Sequence, residues 1–222
     1  MSDSKKDNPN AYRIQLPEEE WQLDDLYELP HAFEQCYAFV YCLDTELMER
    51  DRESIDQAFA AYPWRGGFSY VNIYLVLKSQ LPYAARPRLK SMHKASPGWI
   101  DLYLNVDAAI QVAKAVGILA TTAVAAAKAY AQVKKTLSSI AVEREKIKLD
   151  AMKLTQNQHR TMISMCEDMA KFLGFKNIKE LHERTGNPEV SLKLLAAHYR
   201  RVSILVGFVK DGKAQFPEHG DG

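Results

Sequence analysis

The chain has little of what usually announces chemistry. Its 222 residues hold three cysteines, Cys36, Cys42 and Cys166, an odd number at no metal-ligand or redox spacing. This argues against a disulfide framework or a cysteine zinc cluster and fits reduced thiols in a cytoplasmic protein. There is no GxSxG, HExxH or phosphate-loop motif, and the six histidines are scattered without an i, i+4 pair. No catalytic residue, metal ligand or cofactor site is therefore assigned, and the expectation is a non-enzymatic protein. Neither charge sign is in excess. The net charge of +1 gives no overall attraction to nucleic acid or anionic lipid, so any such binding must come from a local patch. Long apolar runs are missing too: the charge-free stretch between Lys114 and Lys128 falls short of the roughly 18 to 20 residues that cross a bilayer. The first ten residues lack the apolar core of a secretory signal and read as a disordered lead-in. The expected location is cytoplasmic, with peripheral contact at the inner membrane left open.

Between Gly117 and Gly174 there is neither proline nor glycine, while Ala, Lys, Glu, Leu and Met dominate. Nothing there stops a helix, and the composition predicts one long helix from Asn105 to about Leu173. In its first half Ala109, Ala113, Gly117, Thr121, Ala125 and Ala129 recur every fourth position, a ridge that another helix can approach closely. In its second half Leu137, Ile140, Ile147 and Leu154 fall on coiled-coil-like spacing. A helix this long cannot bury its apolar side alone. It is expected to fold back on the C-terminal segment and to form a homo-oligomer through Ala113, Gly117, Thr121, Ala125, Leu137, Ile140, Ile147 and Leu154.

Before this helix the pattern predicts β-α-α-α-β-β. Tyr12 to Leu16 alternates as a strand. Leu26, Leu29, Phe33, Tyr37 and Val40 share a helical face, although Tyr37 to Leu43 also fits a buried strand; helix is preferred. Helices are expected at Asp51 to Tyr62 and Ser69 to Leu81, separated by Pro63-Trp64-Arg65-Gly66-Gly67. That turn is either an inter-helix turn or an anion loop centred on Arg65. Arg88 to Ala95 and Trp99 to Leu104 read as two strands flanking Ser96-Pro97-Gly98. Even spacing puts Arg86, Arg88, Lys90 and Lys94 on one side, in a stretch from Asp56 to Asp101 with no acidic residue between. These four and Arg65 are the candidate anion-binding residues. No aromatic platform of the RNP type accompanies them. The bland alternative is a solvated edge whose cations discourage aggregation.

After Gly174, a short helix near Asn177 to Arg184 and a last helix capped by Asn187-Pro188 are expected. Lys193, Arg200 and Arg201 would face outward, and residues 211–222 would fray. Only a glycine in the turn fits a helix-turn-helix there.

The run RPRLKSMHKASPGWIDLYL at Arg86 to Leu104, followed by an Ala- and Val-rich helix, resembles a group of bacterial proteins, some linked to conflict or defence systems. PWRGGFS at Pro63 to Ser69 is similar to the same group. The resemblance covers about Leu23 to Val133 and carries no catalytic residue. It implies a small α+β domain feeding a hydrophobic or coiled-coil helix, in an adaptor, sensor or membrane-perturbing effector.

The expected fold is α+β, mostly α: a lead-in (1–10), a small α+β domain (11–104), a long helix with C-terminal helices (105–210) and a tail (211–222). The leading functional expectation is an oligomerising interaction module with a possible protein partner or membrane contact. The alternatives are a nucleic-acid or nucleotide binder using Arg86 to Lys94, and a conditional pore former inserting Ile110 to Ala127.

Overall fold

The computed structural model describes residues 11–17, 20–43, 49–61, 73–93, 95, 97–147 and 155–218. In chain order its elements are β1 (Ala11–Leu16), α1 (Leu23–Cys42), α2 (Glu49–Ala61), α3 (Ile73–Gln80), β2 (Arg88–His93), β3 (Gly98–Tyr103) and α4 (Val106–Thr121). There follow α5 (Ala123–Ile147), α6 (Gln156–Phe172), α7 (Lys179–Thr185) and α8 (Pro188–Lys210). The architecture is α+β and mostly α, and its N-terminal part has the order β-α-α-α-β-β. Tyr37 to Cys42 is helical.

The centre of the molecule is α8. Gly186 adopts φ +60°, a left-handed conformation that glycine takes without strain, and ends α7. The Asn187 side chain accepts a hydrogen bond from the Glu189 N–H, and Pro188 occupies a first turn that needs no donor. Every residue from Pro188 to His198 is buried. α1, α4 and α6 pack against this helix, so its apolar residues are used on all sides. Lys193, expected outside, is buried and pairs with Glu189 at 2.8 Å one turn earlier. The helix-turn-helix reading fails for the same reason, because its recognition helix would be the most enclosed helix of the fold.

The single long helix is not observed. Thr121 and Thr122 both turn their hydroxyls onto the Ile118 carbonyl, at 2.9 and 2.7 Å, and α5 leaves α4 at 95°. Two adjacent β-branched residues with such local bonds weaken the helix at this point. Farther on, Thr155 starts α6 anew: its hydroxyl accepts from the Gln158 N–H while the Gln158 side chain accepts from the Thr155 N–H. α6 packs against both α5 and α8.

One hydrophobic core joins β1 and α1 to α4, α6 and α8, running across the expected boundary at 104/105. The tail is packed, not frayed, as far as Glu218. Gln15 and Gln215 exchange backbone hydrogen bonds of 3.0 and 2.9 Å, the Tyr12 hydroxyl donates to the Pro217 carbonyl, and Phe216 stacks on Phe33. Lys213 reaches Asp25 at 2.7 Å. The tail thus occupies the outer edge of β1 at Gln15.

Gly117 shows how the small-residue ridge is used. A Cβ placed there would meet only the Glu218 Oε1, at 2.8 Å, and that carboxylate is the movable end of a side chain. Gly117→Ala is therefore expected to leave the fold intact and to stabilise it by up to about 1 kcal/mol through helix propensity. Thermal denaturation checks this; a loss of stability would show that the glycine is needed for close packing.

Candidate interaction site

The three strands form an antiparallel sheet in the order β1-β3-β2. Its inner face carries Tyr12, Ile14 and Leu16 of β1 and Ile100 of β3, all buried, with Tyr12 stacked on Phe33 of α1. The two edges differ. The tail bonds to the outer side of β1, whereas among the described residues no strand pairs with the outer side of β2. All six residues of β2 are exposed.

Beside this bare edge lies an apolar cleft of about 500 Å³, lined by Trp21, Leu26, Tyr27, Pro30, Leu89 and Met92 among others. Leu89 is 63% exposed and Tyr27 70%. α1 supplies the far wall because its first turns extend beyond the core: Leu23, Leu26 and Tyr27 are exposed, and burial becomes continuous only from Cys36. Pro30 stands two turns inside α1. Having no N–H, it leaves the Leu26 carbonyl at the cleft without its helical donor. Clustered exposure of large apolar side chains marks interaction surfaces.

The opposite, solvent-facing side of the sheet carries the cations. Lys90 is the extra residue of a β-bulge, so Arg88, Ser91 and His93 share one side with Tyr103, Asp101 and Trp99, while Leu89 and Met92 face the cleft. The Arg88 guanidinium lies 5.1 Å over Tyr83 and 5.9 Å from Tyr103, the Lys90 ammonium lies 5.7 Å over Tyr103, and His93 packs on Trp99. Arg13 grips Asp101 through two bonds of 2.7 and 3.0 Å and stands over Trp99. Burial alone would raise the Asp101 carboxyl, but hydrogen bonds from Arg13 and Ser91 outweigh it and hold the group below its ordinary value. The one acid of this face among the described residues is thus already engaged.

Of the five residues expected to bind anions, Arg88 and Lys90 stand together here. Arg86 does not join them: its guanidinium donates to the Leu81 and Ser79 carbonyls and closes the end of α3. Arg65 and Lys94 lie outside the described residues. The aromatic residues beside the cations, Tyr83, Tyr103 and Trp99, come from neighbouring segments and were invisible to a search for one motif. Leu26, Tyr27, Leu89 and Met92 were missed because apolar residues at helical or strand spacing read as core.

The expected oligomerisation residues are largely occupied within the chain. Ala113, Leu137 and Ile140 are buried in its own core, and Gly117 lies under the tail. Thr121 and Ala125 are exposed, but they flank the 95° break, which destroys a continuous ridge. Ile147 is the last residue of α5, and Leu154 lies outside the described residues. Among the described residues no single helix is long and apolar enough to cross a membrane; α4 and α5 meet that test only as a bent pair. Ala109, Val112, Val116 and Leu119 of α4 are buried in the core.

The cysteines offer no nucleophile. All three are buried, and burial pushes the thiols of Cys42 and Cys166 up to about 12 and raises Cys36 as well. No group of three or more His, Cys, Asp or Glu side chains converges on a metal position among the described residues. Comparison with protein-family models, with curated proteins and with solved structures finds no match to this chain.

Proposed function

We propose that the chain is a non-enzymatic interaction module that takes up an extended segment of a partner protein along β2. The observation that carries this reading is the asymmetry of the sheet: the tail bonds to the outer edge of β1 at Gln15, while among the described residues no strand pairs with the outer edge of β2, which is flanked by an apolar cleft. An added strand would bond to the free backbone groups of β2 and place alternate side chains in the cleft, which is how strand addition combines affinity with selectivity. Such a role is of the adaptor kind that the bacterial resemblance implies.

A second copy of this chain is a poorer occupant. Pairing β2 with itself would bring two sets of Arg88, Lys90 and His93 onto one strand pair, and like charges across a ladder destabilise it. The bulge at Lys90 further discourages indiscriminate edge-to-edge pairing.

The test uses dye-labelled eight-residue peptides that alternate Leu with a polar residue, followed by fluorescence anisotropy. Leu89→Glu and Met92→Glu are expected to weaken binding by about tenfold or more, since each puts a charge into an apolar cleft. Both side chains are exposed, so thermal midpoints should stay within about 2 °C of the parent. Hydrogen exchange at Leu89 to His93 should slow on binding. Unaltered exchange there, or equal binding by both variants, would overturn strand uptake.

A further inference from the structure

The preferred partner strand has a definite chemistry. Resting on the strand-uptake reading, we infer that β2 selects a segment that alternates apolar residues with Asp or Glu. The two sides of β2 impose the alternation: Leu89 and Met92 face the cleft, and Arg88, Lys90 and His93 face solvent. A strand added to this edge continues the pleat, so its apolar residues fall on the cleft side and the intervening ones beside the cations.

The charge on that outer side is unbalanced. Among the described residues Asp101 is the one carboxylate of this side, engaged by Arg13 of β1 and Ser91 of β2 and with its pKa lowered further by Lys90, so a single acid faces Arg13, Arg88 and Lys90. Arg88 is steadied by Tyr83 and Tyr103, and Lys90 by Tyr103, contacts that orient the cations without neutralising them. Carboxylates spaced two residues apart on the incoming strand complement this row, because opposite charges across a ladder are favourable. A carboxylate can also take the planar guanidinium of Arg88 through two parallel hydrogen bonds.

Single-stranded nucleic acid fits the same face less well. Arg86 is committed to α3 and Arg13 to Asp101, so two strong cations remain on the described part of the strand, few for phosphate-driven binding. Arg88 and Lys90 already lie over the tyrosine rings on which bases would stack.

The experiment compares labelled (Leu-Glu)4, (Leu-Ser)4 and (Leu-Lys)4 peptides and an eight-nucleotide oligo-dT on the full chain and on the double variant Arg88→Glu/Lys90→Glu. The wild type is expected to prefer (Leu-Glu)4 over (Leu-Ser)4 by about tenfold at low salt, with the preference shrinking severalfold at 0.5 M NaCl. The double variant should lose that preference and gain (Leu-Lys)4, while its (Leu-Ser)4 affinity stays within about twofold. Equal binding of all three peptides by the wild type would overturn the acidic preference and leave strand uptake standing. Binding of none would overturn strand uptake itself. Oligo-dT binding tighter than every peptide, and lost in the double variant, would replace the acidic segment with nucleic acid.

Discussion

Acidification from pH 6.5 to 4 is expected to remove about 3 kcal/mol of stability through one side chain, His198, at about 1.4 kcal/mol per pH unit. His198 lies in the buried stretch of α8, stacked on Phe39 at 4.4 Å and packed against Phe175, and neither ring nitrogen has a hydrogen-bond partner among the described residues. Burial first, and the nearby Arg201 cation second, together lower its pKa from 6.5 to about 3. The sign follows from proton uptake. Below pH 6.5 the unfolded chain binds a proton at this position while the folded chain does not, so stability is complete above 6.5 and falls until the pH reaches about 3. His198→Leu removes both the titration and two buried unpaired nitrogens, so it should also raise stability at pH 7 by about 1 to 3 kcal/mol. Urea denaturation of both proteins from pH 4 to 8 checks this. A histidine-containing protein as stable at pH 4.5 as at pH 7 would show that His198 gains a partner when protonated, and a variant that keeps the acid slope would show that other groups cause it.

His198 also shows what a linear reading can and cannot deliver. The last helix was legible because its signals are local: Gly186 must end one helix, Asn187 caps the next and Pro188 is pre-set for its first turn. Ser96-Pro97-Gly98 between two alternating runs likewise marked β2 and β3. That α8 would be enclosed was not legible, because Lys193 looks like a surface residue until Glu189 is placed beside it and other helices close around both. The break at Thr122 was missed because threonine is tolerated in helices, and only the turn of two hydroxyls onto one carbonyl makes it a corner.

The candidate site divides in the same way. Arg88 and Lys90 were legible as charge, since an acid-free stretch is visible in one dimension. Their separation from Arg86 was not, because the bulge at Lys90 and the binding of Arg86 to Leu81 depend on how neighbouring segments meet. The cleft was the least legible part. Leu26 and Met92 have the spacing of core residues, and their exposure reflects an absence of covering structure among the described residues, a property of the assembled sheet and not of any one segment.

Arg184→Met is expected to destabilise the fold by about 3 kcal/mol. The side chain is 4% exposed and joins three helices: Nε meets Asp56 of α2 at 2.8 Å, Nη2 meets Glu180 of α7 at 2.9 Å, and Nη1 donates to the carbonyl of Cys42 at the end of α1. The guanidinium also stands over Phe59, at 5.9 Å. Removing the cation leaves two carboxylates without their counter-ion and the Cys42 carbonyl without its donor. Breaking a fully buried pair costs about 3 to 5 kcal/mol and an exposed one under about 1. Asp56 is 46% exposed and can rehydrate, while Glu180 at 24% does so less well, which places the loss toward the lower end of the buried range. Arg184→Lys should fall in between, because an ammonium keeps the charge but cannot spread it between two carboxylates while also donating to the Cys42 carbonyl. Adding Glu180→Gln to Arg184→Met should restore part of the loss by removing one stranded charge, an expected coupling of about 1 kcal/mol in a double-mutant cycle. Urea midpoints at pH 7 read all three. A loss under about 1 kcal/mol for Arg184→Met would mean that solvent screens the cluster and that the α1, α2 and α7 junction is held by Phe59 and its apolar neighbours instead.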